Sequence, residues 1–414
     1  MTKLIKPSAI NGKISAPASK SMMQRAIAIA TLAHGTSKLI GYTANEDSEA
    51  ALEIAHKLGA MVSLENNIVE ITGGRTPINY SLHCGEAGLG IRMFTPIASL
   101  YNKTFLLDGA GSLRKRPIAM LEKPLQELGV TVKSTGGFIP IEVTGPIIGG
   151  QATVDGSLSS QMLTGLLIAL PLAQKDTLLN VIDLKSKPYI DMTIQIMADF
   201  GVCVEHTNYE TFSIKANQKY NPQTYTIEGD WSGAAFLLVA GALGGEVEVG
   251  NLRTNSKQAD IAILDAIRQA GATVTISENS VKIKKNLLKA YSFDATECPD
   301  LFPPLVALAA HCEGISKIKG IERLKHKESD RATVLKTEFA KLGTKITLEG
   351  DTMFIHGGTL KGGMLHANND HRIAMAGACA AILAQTDVII ENPECIAKSY
   401  PGFYDDFEKI SSLK

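Results

Sequence analysis

The amino-acid sequence predicts an α/β protein built from six similar βαβαββ units that are divided between two domains. Its 414 residues are too many for one ordinary hydrophobic core and suffice for two. One pattern also recurs along the chain: a helical stretch ends at a glycine, and two short alternating segments joined by a polar turn follow it. These glycines fall 70, 72, 70 and 72 residues apart, at Gly59, Gly129, Gly201, Gly271 and Gly343.

Each recurring glycine is expected to end a helix, because glycine takes the left-handed conformation that residues with a Cβ resist. The alternation after it, as in residues 273–276, has the period of a half-buried strand. The polar turns that should join the paired strands are residues 65–67, 136–137, 278–279 and 349–351. A spacing of 70 or 72 residues between the recurring glycines is long for a solenoid repeat and favours a duplicated domain unit. Glycines spaced by chance in an α/β chain are the alternative.

The two ends of the chain are expected to share the sixth unit. A further glycine would fall near position 415, but the sequence stops at Lys414, after a helical-looking segment at 404–413. We therefore expect N-terminal strands at residues 3–6 and 13–16, joined by a turn near residues 9–12, to complete that unit.

This arrangement divides the six units three and three. One domain would span residues 16–228, and the other would join residues 1–15 to residues 229–414. The chain would cross between the domains twice. The active site is expected in the cleft between them.

The composition excludes several classes of protein. Hydrophobic residues make up 45% of the chain, and 41 basic and 42 acidic residues leave a net charge of −1. That balance argues against a nucleic-acid or membrane-surface binder. The six cysteines form no CxxC pair and no zinc-ligand spacing, as expected for a reduced, cytoplasmic protein. No signal peptide or membrane span is predicted, and a monomer is the default expectation.

A first candidate site lies at the start of a predicted helix. Ser19 is expected to cap this helix, with Lys20 directly after it. Ser21 and Arg25 are four residues apart and therefore share a helix face. Basic and hydroxyl side chains at a helix N-terminus are typical of an anion site. The alternative is a capped surface helix with a basic face.

A second candidate lies at residues 155–161. The hydroxyls of Ser159 and Ser160 precede Gln161 and an apolar run at 162–172. Hydroxyls before a buried helix can bind phosphate, although for this segment taken alone an ordinary helix cap is the better explanation. The segment from Ser186 to Tyr189 offers similar polar groups in an expected loop.

Two further charged segments begin predicted helices. In residues 325–331, Glu328 stands among cations that favour its ionised form, while burial would favour its neutral form. Such opposed influences are typical of a general acid–base group, and a solvated, salt-bridged helix start is the alternative. His371 and Arg372 begin a helix of small apolar residues that must be buried, so they should face an interior or a cleft. A structural hydrogen bond is the expected role of His371.

Arg116 in the middle of the chain and Lys398 near its end add to the cations of these segments. Together they stand at element edges of both predicted domains: Lys20, Arg25, Arg116, Lys327, Arg331, Arg372 and Lys398. A cleft lined by so many cations is expected to bind ligands that carry several negative charges, because arginine offers paired N–H donors to phosphate and carboxylate. The chain has no GxxxxGK[ST] loop and no GxGxxG between a strand and a helix, which argues against ATP and dinucleotides. The residues alone thus predict a two-domain enzyme for small polyanions.

Eight motifs, in order along nearly the whole chain, resemble those of the 5-enolpyruvylshikimate-3-phosphate (EPSP) synthase family: SKSMMQRA, GSLRKRPI, DGSLSSQ, SKPYIDMT, CPD, HKESDR, NDHRIAM and AKSYPGF. The resemblance implies the two-domain enolpyruvyl transferase fold, an inside-out α/β barrel with three βαβαββ units per domain. It implies transfer of the enolpyruvyl group of phosphoenolpyruvate to the 5-hydroxyl of shikimate 3-phosphate, on the pathway to chorismate and aromatic amino acids. It implies no metal and no organic cofactor.

The resemblance also implies the roles of individual residues. Those for shikimate 3-phosphate are Lys20, Ser21, Arg25, Ser159, Ser160, Gln161, Ser186, Tyr189, Asp300 and Lys327. Those for phosphoenolpyruvate are Lys20, Gly88, Arg116, Gln161, Arg331, Arg372 and Lys398. Asp300 and Glu328 would be the acid–base pair, with Lys20 assisting at the hydroxyl or the bridging oxygen.

Some residues depart from the family pattern. Leu89 and Met93 replace a usual threonine and a frequent proline, and Arg323 replaces a neutral or acidic residue. Two other functions stay open. A UDP-N-acetylglucosamine enolpyruvyl transferase usually carries a cysteine in the loop at residues 109–116, which has none here. A non-catalytic binder of phosphorylated metabolites would lack the carboxylates that this chain retains.

Overall fold

The computed structural model describes residues 1–413. The strands are β1 (Thr2–Ile5), β2 (Ser8–Ser15), β3 (Gly35–Ile40), β4 (Met61–Glu65), β5 (Ile68–Gly73), β6 (Ser81–His83), β7 (Thr104–Asp108), β8 (Thr131–Thr135), β9 (Phe138–Thr144), β10 (Gly150–Asp155), β11 (Thr177–Ile182), β12 (Glu205–Thr207), β13 (Thr211–Ile214), β14 (Thr224–Thr226), β15 (Gly245–Gly250), β16 (Thr273–Ile276), β17 (Ser280–Lys284), β18 (Ser292–Asp294), β19 (Ile315–Lys319), β20 (Lys345–Glu349), β21 (Thr352–His356), β22 (Gly363–His366), β23 (Val388–Glu391) and β24 (Ser411–Leu413).

The helices are α1 (Lys20–Leu32), α2 (Glu46–Lys57), α3 (Gly88–Ala98), α4 (Glu122–Glu127), α5 (Gln161–Ala169), α6 (Lys187–Asp199), α7 (Trp231–Gly244), α8 (Ile263–Gln269), α9 (Phe302–Ala309), α10 (Arg331–Lys341), α11 (His371–Ala381) and α12 (Phe403–Lys409). None of the helices in residues 1–413 is long and apolar enough to cross a membrane.

The chain forms two compact units. One is continuous and spans Ala18–Ile227. The other is discontinuous and joins Met1–Pro17 to Glu228–Lys414. They are called the continuous and the discontinuous unit below.

The continuous unit contains sheets of one repeated topology. Two of them have the strand orders β6-β7-β9-β8 and β10-β11-β13-β12, in which a parallel pair is followed by an antiparallel hairpin. The third has the order β14-β3-β5-β4. Its first strand, β14, comes from the far end of the unit and pairs in parallel with β3. The chain therefore closes this unit by returning to the sheet on which it began.

The discontinuous unit repeats the topology in the sheet β18-β19-β21-β20. In the five-stranded sheet β16-β17-β15-β2-β24, the strand β2 pairs in parallel with β15 and antiparallel with β24. In the sheet β1-β23-β22, the strand β1 pairs antiparallel with β23. The first residues of the chain thus supply strands to two sheets of this unit.

The predicted turn near residues 9–12 is wrong. The strand β2 runs from Ser8 to Ser15 without a break, and the chain turns before it at Lys6 and Pro7. Gly12 stands in β2 with φ +153°, a backbone conformation that residues with a Cβ resist. The glycine therefore meets a backbone requirement inside a strand instead of marking a turn.

The predicted helix ends are confirmed at all five recurring glycines. Their φ angles are +95° at Gly59, +89° at Gly129, +86° at Gly201, +105° at Gly271 and +98° at Gly343. These angles lie in the region that residues with a Cβ resist. The predicted polar turns are also confirmed, since each joins two antiparallel strands of one sheet.

The core of each unit consists of helices covered by sheets. The helix α3 is buried along its whole length, and so are α9 and α11. The strands that cover them alternate buried and exposed residues, as β7 and β19 do. One face of each such sheet therefore packs on the helices. The first turns of α1, α10 and α11 carry the charged side chains of Lys20, Arg331 and Arg372.

We predict that Gly59→Ala strongly destabilises the continuous unit. A Cβ at Gly59 would lie 2.1 Å from the carbonyl oxygen of Thr76, and the backbone has φ +95°. Strain and overpacking together should lower the free energy of unfolding by about 3 kcal/mol. Urea unfolding followed by circular dichroism measures this change.

The matched control is Gly136→Ala in the same unit. Gly136 also has a left-handed backbone, at φ +61°, but a Cβ there would meet no atom within 4 Å. We expect a loss of only about 1 kcal/mol. Equal losses in the two variants would contradict the proposed close approach at Gly59.

Candidate active site

The N-terminus of α1 holds a paired lysine. Ser19 caps the helix, as predicted, because its side chain accepts a hydrogen bond from the backbone N–H of Met22. The Nζ of Lys20 lies 2.7 Å from the Oδ2 of Asp47, and only 12% of each side chain is exposed. Asp47 stands in the first turn of α2, behind the cap Asn45. The ion pair therefore fixes the side chain of Lys20 at the N-terminus of α1.

Arg25 is buried between α1, α5 and α6. Its Nε donates to the Oγ1 of Thr193 over 2.8 Å, and its Nη2 donates to the Oγ1 of Thr164 over 3.3 Å. Its Nη1 donates to the backbone carbonyl of Ser21 over 2.8 Å. Burial lowers the pKa of Arg25 to about 10, although the nearby Tyr189 acts in the opposite direction. The side chain is thus a buried cation held by neutral acceptors.

A second cluster surrounds the start of α3. Arg92 donates to the Oε1 of Gln161 over 2.9 Å and to the carbonyl of Gly88 over 3.3 Å. Gly88 lies directly against the guanidinium of Arg116, since a Cβ there would be 2.6 Å from three of its atoms. The absence of a side chain at Gly88 therefore leaves room for Arg116, and Arg92 fixes the amide of Gln161.

The hydroxyls of the second predicted site precede two helices. Ser160 stands before α5, and the Oγ of Ser159 accepts from the backbone N–H of Gln161 over 3.2 Å. The prediction of a loop after Ser186 is wrong, because α6 begins at Lys187 and includes Tyr189. Pro188 is compatible with a first helical turn, where its missing N–H would have no partner. Ser186 precedes the helix in a left-handed conformation, with φ +57°.

In the discontinuous unit, Asp300 is surrounded by three cations. Its Oδ1 lies 3.2 Å from the Nζ of Lys327 and 3.0 Å from the Nη1 of Arg331. Its Oδ2 lies 3.3 Å from the Nη2 of Arg372. Burial by itself would raise the pKa of Asp300, but the charges of Arg372, Lys327 and Arg331 outweigh it and hold the pKa well below its usual range. Asp300 is therefore ionised.

Arg331 is the fully buried centre of this site. Besides Asp300, it contacts the Oε2 of Glu328 at 2.6 Å and the Oδ2 of Asp370 at 2.9 Å. Asp370 is itself completely buried and also caps α11 by accepting from the backbone N–H of Arg372. Burial would lower the pKa of Arg331, but Asp370 and the other carboxylates raise it overall. We call the set of Asp300, Lys327, Glu328, Arg331, Asp370 and Arg372 the arginine–carboxylate cluster.

Arg372, a member of the cluster, and Lys398, which lies beside it, have further partners. Arg372 donates to the Oγ of Ser232 over 2.9 Å, and Ser232 in turn donates to the Oδ1 of Asp230 over 2.6 Å. Lys398 donates to the backbone carbonyl of Asn369 over 2.8 Å. Burial lowers the pKa of Lys327, against the influence of Asp300. The cluster thus combines fixed cations with two partly accessible carboxylates, Asp300 and Glu328.

This arrangement can bind anions and exchange protons. The guanidinium and ammonium groups offer several N–H donors to phosphate and carboxylate oxygens. The carboxylates offer proton acceptors within the same cluster. Within residues 1–413, no three histidine, cysteine, aspartate or glutamate side chains are arranged to hold a metal ion.

The structure brings the predicted site residues of the discontinuous unit together and leaves those of the continuous unit in separate groups. In the discontinuous unit, Asp300, Lys327, Glu328, Arg331 and Arg372 share one network, with Lys398 beside it. In the continuous unit they form the separate groups around Lys20, Arg25 and Gly88. Sequence reasoning missed the partners that hold these residues: Asp47, Arg92, Thr164, Thr193, Asp230 and Ser232. Of these partners, only Arg92 could have been identified from the sequence, because it is a single cation one helical turn after Gly88.

Fold and site together define a class, that of α/β enzymes which act on small polyanions. The particular family follows from comparison with known proteins. A family model described as EPSP synthase (3-phosphoshikimate 1-carboxyvinyltransferase) matches residues 4–407. The chain belongs to this family.

Relatives and solved structures agree with that membership. The 3-phosphoshikimate 1-carboxyvinyltransferase of Clostridium novyi is 37% identical over 98% of this chain and 97% of the relative. That of Clostridium perfringens is 36% identical over 99% of this chain and 98% of the relative. A structure of EPSP synthase from Acinetobacter baumannii aligns with a TM-score of 0.84 at 26% identity, over 100% of this chain and 98% of that one. The predicted family, fold class and enzyme activity are confirmed.

We predict that Arg331→Met destabilises the discontinuous unit by about 3–5 kcal/mol, because it leaves the buried carboxylate of Asp370 without its partner. Trp231 is the single tryptophan of the chain and is buried in this unit. Urea unfolding followed by tryptophan fluorescence therefore measures the change.

Arg268→Met is the control for this experiment. It removes an exposed arginine that pairs with Asp265 at 3.1 Å on the surface of α8. Exposed pairs of this kind contribute less than about 1 kcal/mol. If the two variants were equally stable, the arginine–carboxylate cluster would not hold the unit together.

Proposed function

We propose that this protein transfers the enolpyruvyl group of phosphoenolpyruvate to the 5-hydroxyl of shikimate 3-phosphate and releases phosphate. The observation that carries the proposal is the arginine–carboxylate cluster, in which Asp300 and Glu328 stand among cations suited to a phosphate and a carboxylate. Both substrates are small polyanions, and the family's name states the same reaction.

The proposed binding residues are divided by substrate. Phosphoenolpyruvate is bound by Lys20, Gly88, Arg116, Gln161, Arg331, Arg372 and Lys398. Shikimate 3-phosphate is bound by Lys20, Ser21, Arg25, Ser159, Ser160, Gln161, Ser186, Tyr189, Asp300 and Lys327. The uncancelled charge of Arg25 supports its assignment to an anionic substrate, because a buried cation needs an opposite charge to offset its desolvation.

The reaction proceeds by addition and elimination. The 5-hydroxyl loses its proton as its oxygen attacks C2 of phosphoenolpyruvate, and C3 gains a proton, which gives a tetrahedral ketal phosphate. C3 then loses a proton, the double bond re-forms, and the bond from C2 to the phosphate oxygen breaks. Asp300 and Glu328 exchange these two protons, with Lys20 assisting at the hydroxyl or the bridging oxygen.

The state of Asp300 suits it to accept the hydroxyl proton. It is ionised, because three cations hold its pKa well below the usual range. A carboxylate held so tightly is a weak base. Binding of the substrate's anions to Arg331 and Arg372 would draw these cations away from Asp300 and so raise its pKa toward the value that proton transfer needs. The same cations stabilise the charge of the departing phosphate.

We also propose that the two compact units are the two domains of this family, and that the protein is a cytoplasmic monomer that acts on small molecules without a nucleic-acid partner. The near-zero net charge supports the last point. Six free cysteines are compatible with a reducing compartment.

One assay distinguishes the proposed function from its alternatives. Phosphate release is measured with phosphoenolpyruvate plus shikimate 3-phosphate, and separately with phosphoenolpyruvate plus UDP-N-acetylglucosamine. We expect release with the first pair only. Release with the second pair alone would identify the other enolpyruvyl transferase, and binding of substrates without any release would identify a non-catalytic binder.

We predict that Glu328→Gln binds shikimate 3-phosphate but loses most of its turnover. The change keeps the size of the side chain and removes its proton-exchanging group, and a positioned acid or base contributes about 10²–10⁴-fold to the rate. Calorimetric titration measures the binding, and steady-state phosphate release measures kcat.

Glu322→Gln is the control for Glu328→Gln. Glu322 is an exposed glutamate in the short 3₁₀ helix Ile321–Leu324 that precedes the cluster. Its replacement should leave kcat within about twofold of the wild-type value, in line with other surface substitutions. A near-normal kcat in Glu328→Gln would remove Glu328 from the proposed mechanism.

A further inference from the structure

The guanidinium of Arg25 is oriented by two threonines on two different helices. Arg25 is only 2% exposed, and Thr164 on α5 and Thr193 on α6 are completely buried. A guanidinium has five N–H groups. Among residues 1–413, hydrogen bonds to Thr193, Thr164 and the carbonyl of Ser21 take three of them. One N–H on Nη1 and one on Nη2 remain as donors for a phosphate or carboxylate.

The direction of each threonine hydroxyl is fixed by its neighbours. Thr193 donates its single hydroxyl proton to the carbonyl of Tyr189 over 2.8 Å. The contact of 3.2 Å between the hydroxyls of Thr164 and Thr193 must then use the proton of Thr164. Both oxygens therefore present lone pairs to Arg25 and can only accept from it.

Neutral acceptors hold Arg25 without cancelling its charge. The contrast is Arg331, which is surrounded by the carboxylates of Asp300, Glu328 and Asp370. No carboxylate among the described residues pairs with Arg25. Burial accordingly lowers the pKa of Arg25, whereas that of Arg331 is raised by its carboxylates against the effect of burial. The full charge of Arg25 thus stays available to a ligand.

We propose that Thr164 and Thr193 are positioning residues for the binding of shikimate 3-phosphate: their hydroxyls orient the guanidinium of Arg25 and preserve its charge for the substrate. This inference rests on the proposed function, in which Arg25 binds shikimate 3-phosphate. Neither threonine contacts the substrate in this proposal, and both act through Arg25.

The test variant is Thr193→Val, which keeps the shape of the side chain and removes the acceptor of Arg25 Nε. Calorimetric titration with shikimate 3-phosphate should show binding weakened about tenfold, because a hydrogen bond to a charged group is lost. The KM for shikimate 3-phosphate should rise by a similar factor, while kcat and the KM for phosphoenolpyruvate stay within about twofold of their wild-type values. Thr193→Ser should restore the binding.

Thr31→Val is the matched control. Thr31 is a buried threonine on α1 whose hydroxyl donates to the carbonyl of Ile27 over 2.7 Å and does not contact Arg25. This variant loses a buried hydroxyl but should bind shikimate 3-phosphate as the wild type does. An equal loss of binding in Thr31→Val would show a general structural effect and overturn the proposal.

A double-mutant cycle tests whether Thr193 acts through Arg25. In an Arg25→Ala background, Thr193→Val should cause no further loss of kcat/KM for shikimate 3-phosphate. A tenfold loss of kcat/KM in that background would contradict the proposal. The proposal would also be contradicted if the affinity of Thr193→Val for shikimate 3-phosphate lay within twofold of the wild-type affinity.

The outcomes for the inference and for the function are distinguishable. If the wild type binds shikimate 3-phosphate and Thr193→Val binds it about tenfold more weakly, the inference stands. If neither protein releases phosphate in that case, the inference still stands but the proposed reaction fails. If both proteins turn over with equal KM for shikimate 3-phosphate, the reaction stands and the inference fails. If the wild type does not bind shikimate 3-phosphate at all, both fail.

Discussion

The buried ion pairs of Arg331 are the constraint on which the rest of the site depends. Arg331 and Asp370 are fully buried, so neither charge can persist without the other. Their contact joins the first residue of α10 to the N-cap residue of α11, which is Asp370. Through the same guanidinium, Asp300 and Glu328 are held beside the cations that a phosphorylated substrate would meet. The geometry of the proposed acid–base pair is therefore a consequence of a structural ion pair.

The two units hold a buried arginine with opposite kinds of partner. Around Arg331, the carboxylates of Asp300, Glu328 and Asp370 balance the charge of the guanidinium. Around Arg25, threonine hydroxyls fix the side chain and leave its charge unbalanced. The first arrangement suits proton exchange, because the carboxylates are part of it. The second suits the capture of an anion, because the ligand supplies the missing charge.

Local sequence patterns could predict the helix ends, the hairpin turns and the charged first turns of the helices, because glycine conformation, strand alternation and helix capping depend on neighbours in sequence. They could not predict that β14 returns to pair with β3, since a three-residue strand carries no sign of a partner so far away. They also placed a turn at Gly12, which stands inside β2 with φ +153°. The same limit hid Thr193, which looks like any buried helical threonine until α1 and α6 are packed together.

The most direct test of this account is the ionisation of Asp300. The carboxyl carbons of the aspartates are followed by ¹³C NMR as the pH is lowered, and Asp300→Asn identifies the resonance of Asp300. An ordinary aspartate titrates near pH 3.9. We expect the resonance of Asp300 to show no change from pH 7 down to about pH 4, because the surrounding cations hold its pKa well below the usual range. A midpoint at or above pH 4 would contradict the assignment of Asp300 as an ionised proton acceptor.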